Sequence, residues 1–306
     1  MTGVLTGFGI IATVIAIGFI VGKTPIGSME SRKTLQMIAF FVANPALMFG
    51  VLAHADLSLV FSSFMSVAAI SAIVIAAIYA AINAFFWQRS VAETTIGALA
   101  ASYVNGNNIG LPVAIYVLGD AQYVAPLLLM QLVLLTPLAL TVLDISTAGS
   151  FSPRTLITRP LSNPMIVASF LGLIVALIGV DLPDEVYAPF ELIGGASVPL
   201  MLLAFGMSLS GEKPFQAGAH RVRMVVAAVL KSAVMPVVAY VLAAFVFGLE
   251  GHALFAAVAL AALPTAQNIF THATRYQVET TLARDTALAT TVAAVPVLLV
   301  AAAFLG

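Results

Sequence analysis

Two short polar clusters interrupt apolar stretches of this chain, and their residue types suit the binding of an anion. The first, SYVNGNNIGLPVAIYVLG, gathers Asn105, Gly106, Asn107, Asn108, Gly110 and Pro112 within about two helical turns. Gly costs about 1 kcal/mol and Pro about 3 kcal/mol per helical position relative to Ala, and Asn prefers caps and turns. A helix broken at this point is the expectation. The second cluster, LPTAQNIFTHA, repeats the pattern more weakly with Pro264, Thr265, Gln267 and Asn268. A half-helix starting near Gly110–Pro112, and another near Thr265, would direct unpaired amides and positive dipole ends toward one place. The carboxamides of Asn105, Asn107, Asn108, Gln267 and Asn268 add hydrogen-bond donors. A carboxylate suits such a site, which needs no fixed cation.

The elements that carry these clusters are read from composition. Of 306 residues, 61% are hydrophobic and 8% charged, too few charges to cover a soluble domain of this size. The twelve Lys+Arg nearly balance thirteen Asp+Glu, which gives no reason to expect nucleic acid as a partner. The absence of Cys excludes disulfides, Cys-ligated metal and thiol nucleophiles. Spanning a bilayer takes about 20 apolar residues as helix. Ten stretches qualify: Gly3–Gly22, Thr34–Ala53, Leu59–Trp87, Thr94–Leu118, Tyr123–Leu143, Asn163–Val180, Val186–Leu209, Met224–Phe247, His252–Arg275 and Thr281–Phe304. The first has no Lys or Arg before it and is too long for a signal-peptide core, so it reads as a retained helix. Unwound backbone inside the fourth and ninth spans must be buried in protein or line a cavity, because lipid offers its amides no partner.

Loop charges set the orientation. Connections after odd-numbered spans carry Lys23, Arg32, Lys33, Arg89, Arg154, Arg159, Lys213, Arg221, Arg223, Arg275 and Arg284. Those after even-numbered spans carry Asp56, Asp120, Asp181, Asp184, Glu185 and Glu250 and no Lys or Arg. Positive charge stays cytoplasmic, so both termini are expected outside. The connecting loop 144–162 divides the chain into residues 1–143 and 163–306, five spans each, and an odd number per half makes any repeat an inverted one. Pro45 and Pro112 are 67 residues apart, Pro199 and Pro264 65, and the flanking NPALMFGVL and VPLMLLAFGM echo each other. The fold class expected is all-α integral membrane, with broken helices four and nine crossing. Paired interruptions of this kind point to a transporter's binding site.

Other polar residues have simpler readings. Lys231 stands roughly 12 Å into the eighth span at 1.5 Å per residue; snorkelling to the interface is the preferred reading, with a place on the substrate path as the alternative. Glu191 reads as interfacial rather than as a proton carrier. His272 reads as helix-end packing, although a histidine can titrate near neutral pH. Asn44, beside Pro45, reads as a partner for backbone freed at a kink. Asp285 suits a helix N-terminus. Coupling is left open among H⁺, Na⁺ and none, with Lys231, His272 and Glu191 the path or coupling candidates and no other cofactor expected. An enzyme is not expected: H-E-x-x-H is absent, and Ser197 in GGASVPL lacks the second flanking Gly of a nucleophile elbow. A channel or receptor is the remaining non-carrier reading.

NGNNIGLP, LPTAQNIFTHATRY and TTLARDTALATTVAAVPVLLV resemble the auxin efflux carrier family, over essentially all ten spans. That family includes plant auxin carriers and bacterial permeases of malonate and related organic acids. The resemblance implies two inverted five-helix repeats, a scaffold of spans 1, 2, 6 and 7, and a mobile transport unit of spans 3–5 and 8–10. It implies a carboxylate at the crossover of the broken helices, near Asn105, Asn107 or Asn108 with Pro112 and Pro264. A small organic acid would be carried by elevator-like or rocking alternating access, in a homodimer in the inner membrane of a bacterial cell. Na⁺-linked carriers of the bile-acid or arsenite type are the close alternative.

Overall fold

The protein is described from a computed structural model, which covers residues 2–54, 63–148, 163–180, 183–211 and 220–306. The start of the expected third span, most of the connecting loop, and Asp56, Arg154, Arg159, Asp181 and Lys213 lie outside the described residues. Twelve helical elements carry the argument: α1 (Thr2–Gly22), α2 (Met29–Ala53), α3 (Ser63–Trp87), α4 (Val91–Ser102), α5 (Leu111–Tyr116), α6 (Ala121–Thr147), α7 (Pro164–Ile178), α8 (Asp184–Ser210), α9 (Arg221–Val246), α10 (Gly251–Ala261), α11 (Asn268–Tyr276) and α12 (Thr280–Leu305). Six of these (α2, α3, α6, α8, α9 and α12) are long and apolar enough to cross a membrane. The expected fourth and ninth spans are instead each split, into α4 with α5 and α10 with α11.

Local sequence explains the shapes. The α4 helix starts at a capping box, in which the Ser90 hydroxyl accepts from the Glu93 amide and the Glu93 carboxylate accepts from the Ser90 amide. Asn163 caps α7 ahead of Pro164. Just before Pro45, Pro137 and Pro236 the helices widen by one residue per turn, at Ala39–Ala43, Met130–Leu135 and Leu230–Val234. Proline lacks the N–H for an ordinary turn and its ring crowds the preceding carbonyl, so the turn before it widens.

Packing forms two groups. Helix α1 lies along α8, and α2 packs on α7 and α8. The α1/α8 contact is backbone against backbone: a Cβ on Gly206 would stand 2.1 Å from the Ile15 carbonyl oxygen, and one on Gly18 2.4 Å from that of Leu203. Small residues permit this approach, and dispersion between close backbones replaces the hydrophobic drive that lipid removes. In the second group α3, α4 and α6 pack with α9, α10 and α12. Polar ends also tie it: Arg223 Nη1 lies 2.6 Å from Glu279 and 3.9 Å from Glu93, with His220 3.2 Å from Glu279. Large apolar side chains such as Phe85, Leu192 and Phe304 point outward at about four-fifths exposure, as a lipid-facing surface requires.

Candidate functional site

The site forms where the two split helices meet. Helix α4 ends as Tyr103 turns extended, with φ −82° and ψ 119°. In the facing segment, α10 ends at Ala261 and the chain runs through Pro264, Thr265 and Ala266 before α11. The two breaks pair as a single antiparallel bridge between Val104 and Thr265. The Asn105 amide donates to the Pro264 carbonyl at 2.8 Å, and the Ala266 amide to the Tyr103 carbonyl at 3.1 Å. Each break thereby supplies backbone partners that the other helix lost, the condition for unwound chain at membrane depth. Pro264 fits because its carbonyl is used and it has no amide to leave unpaired.

Thr265 is consumed by this architecture. Its hydroxyl donates to the Ala100 carbonyl at 2.6 Å, and its amide donates to the Thr290 hydroxyl oxygen at 3.0 Å. The Thr290 hydroxyl in turn donates to the Thr286 carbonyl at 2.8 Å. The threonines of α12 therefore hold the second break in place.

Asn105 starts the second half of the fourth span. Its side-chain oxygen accepts from the Asn108 amide at 3.2 Å, and its carbonyl from the Gly110 amide at 2.9 Å. A wide turn, Gly106–Gly110, then leads into α5. The half-helix thus begins at Asn105, not at Gly110–Pro112, and the Gly110 amide is not unpaired. An asparagine cap followed by a widened turn absorbs the Gly-Asn-Asn run that the sequence suggests is unwound. Near Thr265 the amide is likewise paired, and α11 starts three residues later.

Beside this crossing lies a cavity of about 420 Å³, within the ~300–1,000 Å³ usual for small-molecule sites. Asn105, Asn107, Asn108, Gln267 and Asn268 all line it, as do Asn44 and Gln131. Gly110, Pro112, Pro264 and Thr265 do not line it; they are buried behind it and shape the breaks. Two carboxamide donors, Asn105 Nδ2 and Gln131 Nε2, are buried without a hydrogen-bond partner among the described residues. Among the described residues the cavity lining holds no Asp or Glu, and it reaches Lys33 and Gln36 at the Lys/Arg-rich end of α2. The unpaired donors of Asn105 and Gln131, helix starts at Asn105 and Asn268, and a lysine at the mouth favour negative charge, against one unpaired acceptor in the described lining, Asn268 Oδ1.

A side-chain chain joins the two packing groups here. Ser197 on α8 donates to Asn44 on α2, Asn44 Nδ2 donates to Asn107 at 3.0 Å, and Asn107 Nδ2 to Asn108 at 3.3 Å. The amide of Asn44 therefore serves the fourth span's asparagines rather than backbone at its own kink. Gln131 is absent from the expected site residues; its signal is being the lone amide in LLLMQLVLL.

The path candidates lie elsewhere. Lys231 does not snorkel: it is fully buried, and its ammonium donates to the Ala261 carbonyl at 2.8 Å, the last residue of α10. A cation at a helix C-terminus is the favourable end of the dipole, which explains this direction. Glu191 is exposed on α8, and His272 is half-buried on α11; none of the three lines the cavity.

The membrane transport protein family matches residues 151–302. A protein of Rhizobium meliloti (strain 1021) named "Putative malonate transporter" is 24% identical over 299 residues, covering 95% of this chain and 91% of that protein. With the apolar helices, these findings identify a multi-pass membrane transport protein and support the resemblance to the auxin efflux carrier family.

Proposed function

We propose, from the premise that the chain belongs to the auxin efflux carrier family of membrane transport proteins, that it carries a small organic anion by alternating access. The anion is a mono- or dicarboxylate bound in the cavity at the crossing of the fourth and ninth spans. One observation carries the reading. Two split helices pair at Val104 and Thr265, and beside that pair Asn105 and Gln131 bury donors that lack acceptors. A buried unmade hydrogen bond costs about 1–3 kcal/mol, a cost that a bound carboxylate removes. The relative's name makes malonate the first substrate to try.

In this reading the ten spans place both termini outside the cytoplasm, in a bacterial inner membrane. The group of α1, α2, α7 and α8 is the scaffold, and the remainder moves against it. The cavity's reach to Lys33 then makes this the inward-facing state. Either H⁺ or Na⁺ coupling, or simple facilitation, is compatible with the site. The test is a thermal-shift screen of purified protein against small carboxylates with Na⁺ and pH varied, since a ligand that binds only the folded state raises its apparent stability. Malonate or a near relative should stabilise the wild type and not Asn108→Ala. Equal stabilisation of both proteins counts against the site.

A further inference from the structure

A second cavity, of about 200 Å³, adjoins the first and shares Gln36, Phe205, Gln267 and Thr271 with it. Arg32 of α2 and Arg284 of α12 line this smaller space, with Ser208 and Thr291. Arg32 Nε is buried without a hydrogen-bond partner among the described residues. Arg284 Nε donates to Asp285 at 2.9 Å; its Nη2, 2.8 Å from the same oxygen, is misaligned and buried without a hydrogen bond.

The ordinary reason for arginine here is retention of positive charge on one side of a membrane. That reason asks only for guanidinium groups facing water. It does not explain buried donors, nor a side chain at 25% exposure. Helix electrostatics does not explain them either, because both arginines stand near the N-terminal ends of their helices, where the dipole is already positive. Asp285 offsets one of the two charges, and among the described residues no carboxylate lines the cavity to offset the other. The space therefore concentrates positive potential beside a neutral donor pocket.

From this juxtaposition we infer that Arg32 and Arg284 form a second carboxylate subsite at the mouth of the crossing cavity, so that the protein selects dicarboxylates over monocarboxylates. One carboxylate meets the carboxamides at the crossing, and the other meets the arginines. The inference rests on the crossing site proposed above and adds to it a basis for substrate choice. Its location also matters mechanically: α2 and α8 supply Arg32 and Ser208, whereas α11 and α12 supply Thr271 and Arg284, so an occupied subsite bridges the two packing groups.

Calorimetric titration of the purified protein with malonate and succinate, and with acetate and propionate, tests it. The better-bound diacid should exceed the monoacids in affinity. Arg32→Gln should weaken that diacid about tenfold or more, the worth of one charge-assisted hydrogen bond, and leave acetate nearly unchanged. Should Arg32→Gln not fold, the wild type alone reads the same point: diacid affinity should fall far more steeply with NaCl than monoacid affinity. Unchanged diacid binding in Arg32→Gln, equal losses for both acid classes, or equal salt slopes overturn the subsite. Asn108→Ala separates the two claims. Loss of every acid in that variant, together with an indifferent Arg32→Gln, leaves the crossing site standing and removes this one; the reverse pattern faults the crossing site.

Discussion

Replacing Gln131 by Met should make the empty protein more stable and the loaded protein harder to form. The side chain is 1% exposed, and its Nε2 has no partner among the described residues. Methionine has nearly the same length and volume and no polar atom that demands an acceptor, so a volume-conserving swap keeps the local packing. Removing a buried unsatisfied donor returns about 1–3 kcal/mol to the folded state. The same atom, once it meets a carboxylate, makes a hydrogen bond to a charged group worth about 1.5–3 kcal/mol. A loss of about 2 kcal/mol in binding is roughly a 30-fold rise in Kd, since 1.4 kcal/mol is tenfold. Thermal unfolding without ligand and titration with the best carboxylate read the two effects separately. A lowered melting temperature without ligand means Gln131 is satisfied in the apo protein. Unchanged ligand affinity means its amide does not face the substrate. Either result refutes the reasoning.

Three other outcomes follow from the same structure. Thr290→Val keeps the shape of the side chain but removes the oxygen that accepts from the Thr265 amide, so thermal stability should fall by about 1–3 kcal/mol; an unchanged melting point would show that the break does not depend on that bond. Gly206→Ala puts a methyl where the Ile15 carbonyl already stands, and overpacking of about 1–3 kcal/mol should appear as lower stability and a broader size-exclusion peak, whereas wild-type behaviour would refute the close α1/α8 contact. A tag on either terminus should be labelled in intact cells by an impermeant reagent; labelling only after permeabilisation reverses the orientation read from Lys and Arg.

Much of the architecture was legible because hydropathy and helix breakers report directly on it. Long apolar runs gave the helices, and the Asn, Gly and Pro clusters put the two interruptions in the right spans. The finer geometry depends on partners distant in the chain, which periodicity does not encode. Nothing local says that Tyr103–Asn105 pairs with Pro264–Ala266, yet that pairing consumes Thr265 and removes it from the cavity wall. Asn105 was expected only as a donor; its oxygen also caps the following turn, which shifts the half-helix start and leaves Nδ2 as the free end. Depth alone suggested that Lys231 would turn toward water. The carbonyl of Ala261, 30 residues away, supplies the closer partner. Gln131, a lone amide in an apolar run, is a site residue that the sequence does mark.

In the proposed function, buried carboxamides at the meeting of two split helices hold the substrate's carboxylate. A cryo-electron microscopy structure of the protein in lipid nanodiscs with saturating malonate would locate that carboxylate. Carboxylate density within hydrogen-bond distance of Asn105 Nδ2 and Gln131 Nε2 is the predicted result. Density bound elsewhere, with both amides still unpaired, or fourth and ninth spans that run as unbroken helices past Asn105 and Thr265, would refute this placement.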